Sequence, residues 1–305
     1  MRVHFSNVNF SSNSGPNSFA HRLAEEMTNE GHKIVSAEEN YESMLIFIEP
    51  ASRPKPGARV VHRLDGIWFK PDQFHNHNKL IKWAYDNSNF IVWQSNFDKK
   101  MTEHHWGKRK GSVIHNGIIL KKYSTNNSNI LNIRNAYEHM FVCSSNWHRQ
   151  KRLKENIDLF LKIKEKSPRS CLIVMGANHD SFIKHEDIFY TGSIPHDMCL
   201  EFFSVADWMI HLAWLDHCPN VVVEALSQDC PVICTDSGGT KEIVRDNGML
   251  IKEIKPYKFE LTDYDNPYEL QIPSLELSNI EVDNSYLDIK KVAQKYIKVL
   301  QRDTT

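Results

Sequence analysis

The sequence predicts an α/β protein made of two Rossmann-like βαβ domains in tandem, and three features predict it. Short apolar runs alternate with amphipathic stretches through the first half of the 305 residues. That alternation is the pattern of a parallel sheet with helices on both faces. A polar, Asn- and Ser-rich stretch at 120–140 then interrupts it, as a linker would. Beyond the linker the alternation resumes, and the length suits two domains of ordinary size. The first domain reads as 1–119 with a returning C-terminal helix at 284–305, the second as 120–283 including the hinge.

The elements follow in order. "RVHFSNV" is a short strand, and "SNSGPNSFAHRLAEEMTNEGHKIV" supplies a turn, a helix, a stop at Gly31 and a second strand. Phe19, Leu23 and Met27 recur there at helical spacing and form the buried stripe. "MLIFIEP" and "ARVVHRLDG" are strands ended by breakers, "HNKLIKWAYDNSN" is a helix, "FIVWQS" a strand and "NFDKKMTEHHWG" a helix, and "GSVIHNGI" closes the series. After the linker come the strand "MFVCSS", the helix "RLKENIDLFLKIKEKSP", the strands "CLIVMGA" and "DIFYTGSI", and the helix "HDMCLEFFSVA". "DWMIHLAW" is a strand, "NVVVEALSQDC" a helix and "PVICTDSGG" a strand. The last segment, "NSYLDIKKVAQKYIKVLQR", is a helix with Ile289, Val292, Tyr296 and Val299 on one side.

Bulk properties narrow the function classes. A content of 41% hydrophobic and 25% charged residues is that of a soluble globular protein, expected in the cytoplasm. Lys and Arg (37) nearly cancel Asp and Glu (38), so no global field recruits nucleic acid. The N-terminus lacks a signal-peptide apolar core, and no apolar run approaches the ~20 residues that cross a bilayer. The six cysteines form no C-x-x-C pair, which favours reduced, mostly buried thiols over zinc. His75/His77 and His104/His105 lack the i, i+4 spacing of a helical metal site and read as surface. The aromatics Trp68, Phe69 and Trp83 read as core or lid packing before acceptor contacts.

The chemistry concentrates in "LDHCPNVVVEAL", residues 215–226, where carboxylates flank an apolar run. Parallel sheets bind ligands where strand C-termini meet helix N-termini. Trp214 or Leu215 ends a strand, and Pro219 or Asn220 opens the next helix, whose N–H groups and dipole suit an anion such as phosphate. Glu224 lies one turn in, placed to hold two vicinal hydroxyls of a ribose or simply to face solvent. Alternatives stand beside these readings. Asp216 suits a ligand contact or a helix N-cap, and Lys151 in "RQKR" a phosphate contact or a solvated face. Gly238 and Gly239 suit a turn or a close approach to a ligand; His62 and Asp65 suit structural or catalytic roles.

The segment from Asp216 through Glu224 and Ala225 to "CPVICTDSGGTKEIV" resembles the donor-site signature of retaining glycosyltransferases with the GT-B fold, the large family-four group. The matching positions are Asp216, Glu224, Ala225, Pro231, Val232, Gly238, Gly239 and Glu242. "SSNWHRQKRLKENIDLF" is similar to the segment whose Arg and Lys clasp the donor diphosphate. Lys151 takes the lysine position, while strict spacing puts Asn146 at the arginine, with Arg149 the nearest substitute. "YTGSIPHDMCLEFFSVADWMIHLA" resembles the stretch that meets the base, "VIHNGI" the Asn-Gly turn closing the first domain, and "SGPNSFAHRLAEEM" its glycine-containing loop facing the transferred group. "VVHRLDGIWF" is similar to the strand end that carries a His or Asp near the sugar.

The resemblance implies two domains facing each other across a cleft, with the C-terminal helix crossing back to the first. It implies catalytic roles for Arg149, Lys151, Asp216, Glu224, His62 and Asp65. Donor contacts would come from Gly15, Ser193, Ile194, Cys218, Pro219, Asn220, Val221, Gly239 and Thr240. The implied reaction moves a sugar, with retention, from a UDP- or GDP-sugar to a glycan or lipid-linked acceptor. It uses no metal and no cofactor beyond the nucleotide sugar, and the acceptor brings peripheral membrane contact. Domain closure about the linker would exclude water. The sequence departs from the pattern in its shorter Asp216 and in its length, which is short for the group. The same scaffold suits a non-catalytic sugar-nucleotide or glycan-binding protein, or a sugar-nucleotide epimerase.

Overall fold

A computed structural model describes residues 1–12, 14–177 and 182–301. The apolar runs of the first half become strands β1 (Arg2–Ser6), β2 (Lys33–Val35), β3 (Ser43–Phe47), β4 (Arg59–Leu64), β5 (Phe90–Trp93) and β6 (Gly111–Val113). Between them lie helices α1 (Gly15–Asn29), α2 (Phe74–His77), α3 (Lys79–Asn87) and α4 (Asn96–Trp106). The second series runs α5 (Ser128–Ala136), β7 (His139–Ser144), α6 (Leu153–Lys166), β8 (Ser170–Met175), β9 (Ile188–Gly192), α7 (His196–Val205) and β10 (Trp208–His211). It ends with α8 (Asn220–Ser227), β11 (Val232–Thr235), α9 (Thr240–Val244) and β12 (Gly248–Ile251), and α10 (Ile289–Gln301) follows.

Two compact units result, one of residues 1–120, 258–262 and 285–305, the other of residues 121–257 and 263–284. Each holds a six-stranded, wholly parallel sheet, so both are Rossmann-like.

In the first unit the order is β2-β1-β3-β4-β5-β6. Pro16 sits at the start of α1, where its missing N–H costs nothing, and Gly31 at φ +81° reverses the chain into β2. Phe19, Leu23 and Met27 are fully buried, as their spacing predicts. On the same core lie Ile289, Val292, Tyr296 and Val299 of α10. The Phe19 and Tyr296 rings are 5.8 Å apart, and Ser43 Oγ donates to the Leu300 carbonyl at 2.9 Å. The C-terminal helix therefore does return to the first sheet. Leu23→Ala should destabilise this unit by ~2–5 kcal/mol through the cavity left between α1 and the sheet, read as a lowered denaturation midpoint.

The second unit has the order β12-β11-β10-β7-β8-β9. From β7 the chain steps out to β8 and β9, then returns to lay β10 against the other side of β7. The order reverses between β7 and β10, which makes the loops after these two strands neighbours at a topological switch point.

Several expectations change. The supposed linker contains α5, whose N-cap Asn127 accepts a hydrogen bond from the Asn129 N–H. Its Asn and Ser residues cap and cover a helix that buries only Ile130, so no apolar stripe announced it. β10 ends at His211, before Trp214 or Leu215, and residues 212–215 are a buried loop. The short α9 and β12 have no counterpart in the sequence reading. Residues 258–262 belong with the first unit, tied by the Thr262 N–H to the Phe69 carbonyl at 2.9 Å and by Phe259 against Phe97. Trp68 and Trp83 are exposed, and only Phe69 of that aromatic trio packs inside. Among the described residues no helix is long and apolar enough to cross a membrane. The six cysteines are free thiols, five of them buried.

Candidate functional site

The loop after β7 begins the site. Trp147 anchors it by donating its indole N–H to the Met175 carbonyl at 2.9 Å. The chain then makes a 3-10 turn, Arg149–Lys151, and passes through Arg152 in the left-handed region (φ 55°) into α6. Asn156 secures the bend by donating to the carbonyls of Lys151 (3.1 Å) and Arg152 (2.6 Å). The basic run "RQKR" thus splits by direction. Arg149 is exposed, Lys151 is half-buried, and Arg152 turns inward to a bidentate pair with Glu253 at 2.6 and 3.1 Å. Glu253 also accepts from Ser237 Oγ at 3.0 Å, which ties this loop to the glycine loop after β11.

The loop after β10 meets it. Leu215, at φ 56°, turns the chain so that Asp216 accepts a hydrogen bond from Lys151 Nζ. His211, the last residue of β10, places Nε2 3.6 Å from the same Asp216 oxygen, longer than a hydrogen bond but within ion-pair range. Burial alone would raise the Asp216 pKa, but the Lys151 ammonium and His211 outweigh it and hold the carboxyl well below the ordinary range. Burial lowers the His211 pKa against the pull of Asp216. The two alternatives left open at this loop resolve here. The N-cap of α8 is Pro219, so Asp216 is not a cap. At Gly238 (φ +67°) a Cβ would lie 2.5 Å from the Asp216 carbonyl oxygen and 2.8 Å from its nitrogen, and Gly239 donates to that carbonyl at 2.7 Å. The glycines are there so that backbone can pack on backbone. Beside them Thr240 is buried, its hydroxyl without a hydrogen-bond partner among the described residues.

On α8, Val222 and Val223 are fully buried against the sheet, while the Glu224 side chain keeps 13% of its surface open and lies 3.1 Å from His196 Nε2 on α7. A carboxylate can sit in this apolar helix because it points away from the sheet toward α7. Cys218 and Pro219 are buried, Asn220 and Val221 half-buried, Ser193 exposed and Ile194 half-buried in the turn from β9 to α7.

In the first unit the three predicted positions differ in character. Gly15 is the exposed first residue of α1, not part of a preceding loop. His62 is sealed inside β4, its Nε2 2.7 Å from the Ile48 carbonyl, and burial lowers its pKa to about 4. Its Nδ1 is buried with no hydrogen-bond partner among the described residues. Asp65, just past the strand end, is half-buried and ion-paired with Arg63. Arg63 is buried between the faces of Phe19 (4.4 Å) and Phe47 (5.2 Å) and donates to Asn116 Oδ1 at 2.8 Å. Among the described residues no cluster of His, Cys, Asp and Glu is placed to hold a metal ion.

Sequence reasoning missed His211, Arg152, Glu253 and His196. A histidine closing the apolar run "DWMIH" was the one available signal for His211. Arg152 was hidden in a run that resembles a solvated face.

Residues 127–259 match the family model for glycosyl transferases group 1. TuaC of Bacillus subtilis (strain 168), a putative teichuronic acid biosynthesis glycosyltransferase, is 35% identical over 66 residues. The match takes in 22% of this chain and 16% of that relative's length. The crystal structure of HepE from Anabaena in complex with UDP-glucose superposes with a TM-score of 0.68 at 14% identity, over 99% of this chain and 100% of that one. WaaG, a glycosyltransferase involved in lipopolysaccharide biosynthesis, superposes with a TM-score of 0.58 at 13% identity, over 100% of this chain and 96% of that one. These are likenesses of fold, and the fold is GT-B.

Proposed function

We propose that this chain, GT-B in fold and carrying the glycosyl transferases group 1 segment at 127–259, transfers a sugar from a nucleoside diphosphate sugar to an acceptor with retention. The observation that carries the reading is the meeting of Lys151 and Asp216 at the switch point of the second sheet, eight residues before Glu224. Lys151 supplies positive charge for the diphosphate, and Arg149 stands exposed on the same turn to add to it. The opening of α8, whose N-cap Pro219 makes no side-chain cap, adds the partial positive charge of a helix start. Glu224 takes the ribose hydroxyls, and the turn at Ser193 and Ile194 lies at a strand C-terminus, where a base is met. The Thr240 hydroxyl, without a hydrogen-bond partner among the described residues, supports a ligand beside the glycine loop. Catalysis in this reading is electrostatic: charge grows on the departing phosphate and is stabilised by fixed cations and dipoles. Side chains carry that load, so the reaction is assigned no metal. In the first unit Asp65 is the group assigned to the acceptor side.

The acceptor is assigned as a glycan or lipid-linked glycan. A membrane-proximal acceptor is supported by α3, which exposes Leu80 and Trp83 beside Lys79 and the partly exposed Lys82. The decisive experiment incubates the protein with UDP- and GDP-sugars, with and without glycan acceptors, and measures released nucleoside diphosphate. Release that depends on acceptor is expected. Binding without release under every condition would instead make the chain a sugar-nucleotide binding protein, and conversion of the sugar without acceptor would make it an epimerase.

A further inference from the structure

We propose that Asp216 and His211 are positioning residues that hold the Lys151 ammonium ready for the donor's diphosphate, and that Asp216 does not touch the transferred sugar. The proposal rests on the reading of the second unit as a nucleoside diphosphate sugar site.

Three features point the Asp216 carboxylate at lysine. Its backbone is fixed: Gly239 donates to its carbonyl at 2.7 Å, and Gly238 packs against its nitrogen and oxygen so closely that no Cβ fits. An aspartate on a fixed backbone has one methylene of reach. Only 15% of its side chain is open, and one oxygen, Oδ2, is shared by Lys151 Nζ and His211 Nε2.

His211 completes the arrangement. Its side chain is 4% exposed, and Nε2 makes no hydrogen bond among the described residues, although it lies 3.6 Å from Asp216. A buried polar nitrogen left so is unfavourable unless a charge faces it. The carboxylate is that charge. Lys151 itself has a flexible stem and three donors. Asp216 occupies one donor and orders the stem before a ligand arrives, leaving two N–H bonds for phosphate oxygens. Ordering a side chain in advance lowers the entropy lost on binding.

This arrangement predicts an effect of unexpected sign. Removing a carboxylate from an anion site raises its positive charge, so Coulomb attraction alone predicts tighter binding of a diphosphate by Asp216→Asn. Positioning predicts weaker binding. The experiment titrates the full-length protein with UDP and GDP, and with UDP-glucose and GDP-mannose, by calorimetry. It compares wild type, Asp216→Asn, His211→Asn, Lys151→Met and the Asp216→Asn/Lys151→Met double variant.

Asp216→Asn should weaken the preferred nucleoside diphosphate about tenfold, the scale of one hydrogen bond to a charged group. The ratio of its affinity to that of the nucleotide sugar should stay at the wild-type value. The double variant should be no weaker than Lys151→Met, and His211→Asn should move in the same direction by less. The ratio is insensitive to a partly unfolded fraction, which affects both ligands alike. Asp216→Asn binding the nucleoside diphosphate as tightly as wild type, while losing nucleotide-sugar affinity, would overturn the proposal and return Asp216 to the sugar. Additive losses in the double variant would overturn it too. Wild-type protein that binds no nucleoside diphosphate would instead remove the site reading beneath it, a separate and recognisable outcome.

Discussion

Glu224→Ala is expected to lower kcat/KM for sugar transfer by roughly 10²–10⁴. Two hydrogen bonds from ribose hydroxyls to a carboxylate are each worth about 1.5–3 kcal/mol, and each ~1.36 kcal/mol is tenfold in rate. The side chain is placed for this by α8, with its valines committed to the sheet and its carboxylate turned toward α7. His196→Ala removes the neighbouring imidazole and keeps the carboxylate, so its effect should be far smaller. Glu224→Gln should fall between the two, because the amide keeps one acceptor oxygen. Initial rates of nucleoside diphosphate release decide the matter, and wild-type turnover in Glu224→Ala would exclude the ribose grip.

The second large effect is on folding. Arg152→Met should destabilise the second unit by ~3–5 kcal/mol, because it strands the Glu253 carboxylate without its charged partner in a buried setting. Glu253 receives two guanidinium bonds and one from Ser237, and Arg152 also caps the Tyr268 carbonyl at 2.7 Å. Replacing both charged residues by apolar ones of similar size should recover most of the loss, since a buried ion pair and a packed apolar pair are often close in stability. Denaturant titration followed by tryptophan fluorescence measures both. A single variant as stable as wild type would mean that water reaches Glu253 easily.

What local pattern could reveal, it did. β1, β3, β4 and β5 are apolar runs ended by breakers, and the stripes of α1 and α10 are regular enough to name their buried residues correctly. Where burial is slight the pattern fails: α5 buries one residue, and α9 spans a single turn and a half. The site was legible in kind and not in arrangement. Lys151 and Asp216 could each be proposed from motif spacing, but their contact spans 65 positions of chain and exists only because the strand order reverses between β7 and β10. Arg149 and Arg152 lie on one short basic run, yet one faces solvent and the other is buried, a difference set by the left-handed residue between turn and helix. His62 looked like a strand-end group and proved to be interior, because β4 extends two residues past it.

The first sheet's core is walled by a helix that is synthesised after every residue of the second unit. During synthesis residues 1–120 emerge without Ile289, Val292 and Tyr296, while everything the second sheet needs has appeared by residue 284. The later-encoded lobe therefore has its full set of residues before the earlier one does, against the usual N-to-C order. A nascent chain halted before residue 289 would carry a finished rear lobe and an open front one, exposing Phe19 and its neighbours to chaperones.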